Sequence, residues 1–408
     1  MSDKQKEVIK IPNEYISLPL ERQELKDYLI LLVKKEEFLV EQLCGKIYCR
    51  EKTGFHRCKT QKKTILTRFG RIRHAFVYVK DKTTGRIFSP LLEWLEIPLY
   101  QRLSHNFKQV LSRKASRSTY QLGVEDIQDS FGFGISRQTL HAYVKQTCSA
   151  ISCTAEPNPE HKILLADGTK VRNGKETRHH EVRVLASYGE GNDKAILAQE
   201  INKEWKEMAE GIDFGQYQVL VADGELGIQE NLCKEHMRFH LCHLHAINDV
   251  SFYLWKNGCG RKEGKPYINR LEQLIYTLQN STKKYWKDKD IMRLARRIRK
   301  TKKYVKELAD LLIVKGFIEA GEFLQRHVNH LTTASELAPT GLKIPFTTNG
   351  MERLMQEVGK RTKKKGMYWS EDGLQRILSM VLKRYVLPKD RRTYIDVFAN
   401  NTTEGIES

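Results

Sequence analysis

Three carboxylates stand in settings that suit metal-dependent chemistry. Asp167 closes the apolar run Ile163-Leu164-Leu165-Ala166, and Asp223 closes Val219-Leu220-Val221-Ala222, each followed by glycine. An aliphatic run of this length, bounded by a turn residue, reads as a strand buried on both faces. Acids where such strands stop would be carried by rigid backbone into the crevice beyond the strand ends, where open α/β sheets place their ligands. Far downstream, Thr347-Thr348-Asn349-Gly350-Met351-Glu352 opens a helical pattern and offers a third acid, Glu352. Hard oxygen donors are what Mg2+ or Mn2+ takes. Two such ions about 3.5–4 Å apart can activate an entering hydroxyl and stabilise a leaving oxygen at a phosphodiester. Glu225, Glu230 and Glu357 compete for the third place. Glu357 lies more than a helical turn beyond Glu352.

The conjunction carries more than any one motif, since an Asp-Gly pair alone is more often a turn than a ligand. Both Ala-Asp-Gly strand ends, Cys242-His243-Leu244-His245 after the second aspartate, and Thr348-Asn349-Gly350-Met351-Glu352 resemble DDE transposases of the Mutator-like insertion-sequence type. The likeness spans roughly the last 250 residues and is looser before them. It implies an α/β ribonuclease-H-like catalytic core with a mixed five-stranded sheet and an all-helical insertion. It further implies strand cleavage and strand transfer by Asp167, Asp223 and Glu352 on two Mg2+ (or Mn2+) ions, with Asp167 bridging them and Cys242, His245 and Asn349 near the active site. The implied partners are double-stranded DNA, as terminal inverted repeats and target, and at least one further copy of the chain to synapse two ends. The implied location is the cytoplasm of a prokaryote, at the nucleoid. Two other functions stay open: a DNA-binding regulator with an inert core, against which the three intact acids argue, and a ribonuclease-H-like nuclease that cuts without joining.

Composition agrees with a polyanionic partner. Seventy Lys and Arg against fifty Asp and Glu give a net charge of +20 over 408 residues, which fits nucleic acid better than an acidic small molecule. Affinity resting on phosphate neutralisation weakens steeply with salt. No apolar run is long enough to span a bilayer, and the first residues lack the apolar core of a secretory signal. Eight scattered cysteines do not form a compact disulfide framework and point to a reducing compartment.

The elements that must position these groups follow in order. Residues 1–95 read as a small α+β module. Leu20 to Leu43 has helical spacing, and Thr64 to Val79 alternates as a hairpin presenting Arg68, Arg71 and Arg73. Between them Cys44, Cys49, His56 and Cys58 are four possible Zn2+ ligands, although neither pair has the usual finger spacing. Families of this type carry a second cysteine pair before Phe88-Ser89-Pro90, and the Lys80–Arg86 stretch here holds none. Residues 96–155 turn helical, with Val124 to Phe131, a Gly132-Phe133-Gly134 turn, and Ser136 capping a helix from Arg137 to Thr147. Helix, glycine turn, helix is a helix-turn-helix pattern. Its Arg137, Gln138, His141 and Lys145 could meet DNA. The alternative is a plain helical hairpin.

The Ala155–Pro159 break sets a boundary, and the catalytic domain is expected over 156–400. Three antiparallel strands and two helix-linked parallel strands should bring Asp167 and Asp223 side by side. The helical insertion is expected at about 248–340. Its stretch Lys283–Lys306 holds twelve Lys or Arg, among them Arg293, Arg296, Arg297 and Lys300. Such a helix suits a duplex backbone, or is simply a solvated charged face. After Glu352, Lys363, Lys364 and Trp369 would hold the scissile strand, although the ring could equally pack. Residues 401–408 lack apolar pattern and read as a disordered tail.

Overall fold

The computed structural model describes residues 22–45, 54–98, 100–148, 151–173, 179–189, 193–363 and 367–386. The chain divides into two compact units, Met1–Ser149 and Ala150–Ser408. The expected tail and the positions of Cys49 and Lys364 lie outside the described residues.

The first unit contains α1 (Arg22–Cys44), β1 (Phe55–Thr67), β2 (Gly70–Asp81), β3 (Ile87–Phe88) and α2 (Pro90–Trp94), then α3 (His105–Arg117), α4 (Tyr120–Phe131) and α5 (Arg137–Cys148). Alternation in the hairpin puts Ile65, Ile72, Phe76 and Tyr78 on one face, where they bury against Leu25 and Leu32 of α1 and Leu91 and Leu92 of α2. Glu36 fixes α1 to the hairpin by accepting from Val77 N at 2.8 Å and pairing with His74 Nε2 at 2.8 Å. Backbone bonds cross the expected break at residue 95. Leu66 N donates to Arg102 O (2.7 Å) and Ser104 N donates to Leu66 O (3.0 Å), so hairpin and helices share one unit. Gly132 ends α4 in the left-handed conformation (φ 66°). Ser136 Oγ caps α5 by accepting from Thr139 N at 3.0 Å.

The second unit is a mixed α/β body. It runs β4 (Ile163–Arg172), β5 (His179–Tyr188), β6 (Lys194–Ile201), α6 (Trp205–Ala209), β7 (Val219–Ala222), α7 (Leu226–Leu232) and β8 (Arg238–Leu241). Helices α8 (His243–Lys256), α9 (Arg261–Asp288), α10 (Ile291–Val314), α11 (Ile318–His327) and α12 (Thr333–Glu336) follow, then α13 (Asn349–Thr362) and α14 (Glu371–Val386). The sheet order is β6-β5-β4-β7-β8. β4, β5 and β6 pair antiparallel, while β4, β7 and β8 pair parallel. The unit starts before the expected Ala155–Pro159 boundary, because Thr154 bridges to Ile196 and Ala155 N donates to Ile196 O at 2.9 Å.

Alternation sorts the strands into two faces. Leu164, Ala166, Leu220, Ala222, Phe239 and Leu241 join the core formed with α6 to α11. The intervening Ile163, Leu165, Val219 and Val221 are equally buried and belong to the opposite face. Helix α13 packs on β4 and α14 on β6. Among the described residues no helix is long and apolar enough to cross a membrane.

Candidate metal centre

Register brings the aspartates together. Ile163, Leu164 and Leu165 pair with Val219, Leu220 and Val221, so the same parallel offset sets Asp167 beside Asp223. On the next strand Ala222 pairs with Leu241, which sets Asp223 beside Cys242. All three residues alternate with positions that face the α6–α11 core, so they belong to the other face. One expectation is corrected here: β4 does not stop at Asp167. It continues to Arg172 because β5 pairs with it throughout, from Asp167↔Val184 to Arg172↔His179. Asp167 therefore sits where β4 outruns β7.

Two helices close the rim. α8 starts at Cys242 and presents His245 and, one turn on, Asp249. α13 starts after Thr348 and carries Glu352 in its first turn, while Met351, Leu354, Met355 and Val358 bury the helix against the body. Thr348 is the hub. Its N and Oγ1 donate to Cys242 Sγ (3.3 and 3.4 Å), and Oγ1 also lies 3.3 Å from Glu352 Oε1 and 3.5 Å from His245 Nδ1. Asn349, the first residue of α13, is exposed, and its N–H donates to Thr347 Oγ1 at 3.4 Å.

Asp167 is 7% exposed, and its Oδ1 accepts from Gly168 N at 2.8 Å. Burial pushes its carboxyl up to about 6; Asp223 and Glu352 add to the rise, while His245 and the Gly168 N–H oppose it. Asp249 is also pushed to about 6, by burial and then by Asp223. The Cys242 hydrogen bond raises His245 to about 9, with Asp167 and Asp223 contributing. Burial works to raise the Cys242 thiol, yet hydrogen bonds from His245 and Thr348 hold it below its ordinary value. The hydrogen bond thus favours the charged form of both partners, with His245 the cation beside the acids.

The four acids suit a divalent cation by donor type, although among the described residues no three of them bring their oxygens within 4.8 Å of one another. Asp167 is buried and Asp223, Asp249 and Glu352 are half-buried, and like-charged carboxylates gathered in this way are relieved by an ion more effectively than by water. Asp167, Asp223, Asp249 and Glu352 offer only hard oxygen. A second arrangement overlaps the first. Among the described residues the one group of three potential ligands with donor atoms all within 4.8 Å is Cys242, His245 and Glu352. Its sulfur and nitrogen donors suit zinc better than magnesium.

Of the competing acids, Glu225 stays next to Asp223, whose Oδ1 accepts from Glu225 N at 3.0 Å and whose charge helps burial raise the Glu225 carboxyl. Glu225 Oε1 accepts from Trp205 Nε1 at 3.3 Å, on the side of the α6–α11 core. Glu230 is exposed, and Glu357 pairs with Lys360. Asp249 and Thr348 were not anticipated. The signal for Asp249 was its place four residues after His245, which on a helix is the same face.

The remaining expected contacts divide by exposure. Arg137, Gln138, His141 and Lys145 of α5, Arg293, Arg296 and Lys300 of α10, and Lys363 are exposed, with Arg297 half-buried. His141 also meets the Tyr120 ring edge-on at 5.3 Å. Trp369 is corrected: it is 5% exposed, donates Nε1–H to Thr362 O at 3.2 Å and lies under the Arg361 guanidinium at 4.6 Å. It packs, and cannot stack on a base. Cys44, His56 and Cys58 do not form a three-ligand group among the described residues. Cys233 and His236, upstream of β8, bond to backbone instead of joining Cys242 and His245, with Cys233 Sγ on Met237 O (3.8 Å) and His236 Nε2 on Phe214 O (3.2 Å). The middle histidine of the Cys242–His245 stretch is a core residue: burial holds His243 down to about 4, its Nε2 meets Leu331 O at 2.8 Å, and Phe346 stacks on it at 5.4 Å.

A scan against protein-family models and a search of curated proteins each gave no match.

Proposed function

We propose that the chain is a DDE-type DNA transposase of the Mutator-like insertion-sequence kind, with its second unit a ribonuclease-H-like core interrupted by the helices α8 to α12. One observation carries the reading: the parallel register of Ile163–Leu165 with Val219–Val221, whose offset carries Asp167 and Asp223 to neighbouring places on the β4 side that α13, the helix of Glu352, packs against. Asp167, Asp223 and Glu352 would hold two Mg2+ (or Mn2+) ions. Bound ions of this kind supply a nucleophilic hydroxide or alkoxide and neutralise charge on a phosphodiester.

The chain's own residues do the rest. β4 and β7 fix both aspartates on paired backbone, which keeps the acids in place before substrate arrives. Thr348 ties Glu352 to Cys242, so the third acid is anchored at the first turn of its helix. His245, raised to about 9 by Cys242 and then by Asp167 and Asp223, eases the repulsion among the acids and would keep a proton at the rim. Water or a DNA 3′-hydroxyl could serve the same centre, which accounts for cleavage and joining at one site. The exposed cations of α5 and α10 suit the duplex phosphates. Two copies would be required to synapse two ends.

The test is Asp167→Asn, measured for Mg2+-dependent cleavage and strand transfer with DNA binding followed in parallel. Cleavage lost with binding kept supports the reading; cleavage retained ends it. Joining absent from an otherwise cutting wild-type chain turns the reading to a nuclease, and binding with neither turns it to a regulator. The Cys242, His245 and Glu352 geometry supports a second reading, one zinc ion at the rim. Elemental analysis of the purified chain separates the two.

A further inference from the structure

In the first unit two clefts of about 840 and 640 Å3 share Thr64, Arg73 and Arg102 and so form one trough around the β1 side of the hairpin. Its cations are Lys59, Lys62, Lys63, Arg71, Arg73 and Arg102, and among the residues lining it none is Asp or Glu. One backbone bond holds Arg102 there, from Leu66 N to Arg102 O at 2.7 Å, and a second from Ser104 N to Leu66 O at 3.0 Å holds the segment just after it. Burial, with Arg102 beside it, holds the Lys63 amine below its ordinary value. The fold thus spends stability to keep like charges close, a cost that an anion in the trough offsets.

We propose that this trough grips the phosphate backbone of duplex DNA. The inference rests on the DNA reading above and not on the chemistry of the acids. Edge-strand lysines commonly block strand-to-strand aggregation, which would account for Lys59 and Lys62 on β1. It does not account for Arg102, which is outside the sheet, nor for the gathering of Arg102 with Arg71 and Arg73 of β2 in one cleft. Arg71 and Arg73 are exposed neighbours on one face of β2, about 6.8 Å apart. Such a ladder follows a charged backbone better than it encloses a small anion. Tyr100, 93% exposed, stands at the mouth. The α5 edge lining the trough is Ser136, Thr139, Ala142 and Gln146. That edge would lie against a duplex in the trough, whereas Gln138 and His141 do not line it.

The experiment uses the full chain and a short labelled duplex of arbitrary sequence, with binding followed by fluorescence anisotropy across a salt series. The variant Lys62→Ala/Arg73→Ala/Arg102→Ala should lower the slope of log K against log salt by about 2–3, since each lost phosphate contact removes about 0.9. Affinity should fall at least about tenfold. Thermal unfolding checks the fold, and Arg73→Gln alone, with a slope change of about 0.9, serves if the triple variant is unstable. Gln146→Ala should weaken binding more than Gln138→Ala. A slope unchanged in folded variants overturns the proposal, as does equal trough dependence on phosphatidylserine vesicles with no duplex binding. The two readings fail separately. Trough variants that bind normally, in a chain whose cleavage needs Asp167, sink the trough alone; trough-dependent binding in a chain that never cuts with Mg2+ sinks the catalysis alone.

Discussion

The rim of the second unit and the trough of the first solve opposite versions of one electrostatic problem. The rim gathers Asp167, Asp223, Asp249 and Glu352 with His245 as the neighbouring cation named by their electrostatics. The trough gathers six Lys and Arg with no acid lining it. Each holds like charges together on rigid backbone, so on the proposed reading each would be completed by an ion from outside. Burial decides which one. Desolvated carboxylates select a small, hard cation, whereas an open row of lysines and arginines selects an extended polyanion.

The largest break in the comparison is Asp167→Asn. It should cut Mg2+-dependent cleavage on the order of a thousandfold, about 4 kcal/mol of barrier, and leave the salt dependence of DNA binding untouched. Single-turnover cleavage and anisotropy on the same preparation check both halves.

A smaller effect should appear in stability against pH. Folding raises Asp167 from 3.8 to about 6, so the folded chain holds a proton that the unfolded chain has lost. Metal-free stability then falls as pH rises from about 4 to 6, by roughly 3 kcal/mol from this group. His245 runs at higher pH: raised from 6.5 to about 9, its contribution is full below 6.5 and is lost as pH climbs through 9. Added Mg2+ should raise the melting temperature above pH 6 and do little below pH 4, where Asp167 is protonated in both states. Asp167→Asn should roughly halve the fall between pH 4 and 6, since Asp249, also raised from 3.8 to about 6, titrates over the same window. Thermal unfolding with and without MgCl2 reads each of these.

Asp249→Asn probes whether the rim has a fourth working acid. A residue that supports a metal ligand without replacing it usually costs 10- to 100-fold in affinity or activity. The expected outcome is a shift of that order in the Mg2+ concentration for half-maximal cleavage, with maximal cleavage restored at high Mg2+. A loss that no Mg2+ concentration restores would mean that Asp249 takes part in the chemistry directly.

Much of the rim was legible in the sequence, for a reason particular to strands. Both aspartates close aliphatic runs, and parallel strands in register bring like positions together, so order alone placed Asp167 beside Asp223. Glu352 was readable from the Thr348–Asn349 helix start. Asp249 and Thr348 were missed because their roles come from three-dimensional neighbours. Thr348 meets Cys242 across 106 residues of chain. The extension of β4 past Asp167 was hidden too, since Gly168 reads as a turn and only the β5 partner keeps that backbone in the sheet. In the first unit the helix caps were visible, but the trough was not. Alternation showed Arg71 and Arg73 facing outward, while Arg102 arrives only through the backbone bonds of Leu66.

The smallest expected effect tests whether cationic neighbours and an aromatic ring suffice to mark a DNA contact. Trp369 follows a basic stretch and looks like a stacking platform in the sequence, yet its ring is buried with Arg361, itself 1% exposed, against it. Its backbone is also tied down, through Trp369 N to Arg172 O at 3.2 Å and Trp369 O to His180 Nε2 at 3.0 Å. Trp369→Phe keeps those bonds and most of the packing but deletes the Nε1–H bond to Thr362 O. Leaving that carbonyl without its donor should cost about 1 kcal/mol of stability, read as a small drop in melting temperature. Duplex affinity and its salt slope should not move. If they do, segment 367–370 opens on binding and the ring reaches DNA after all. The division between buried and open charge would then no longer decide which cations meet the polyanion.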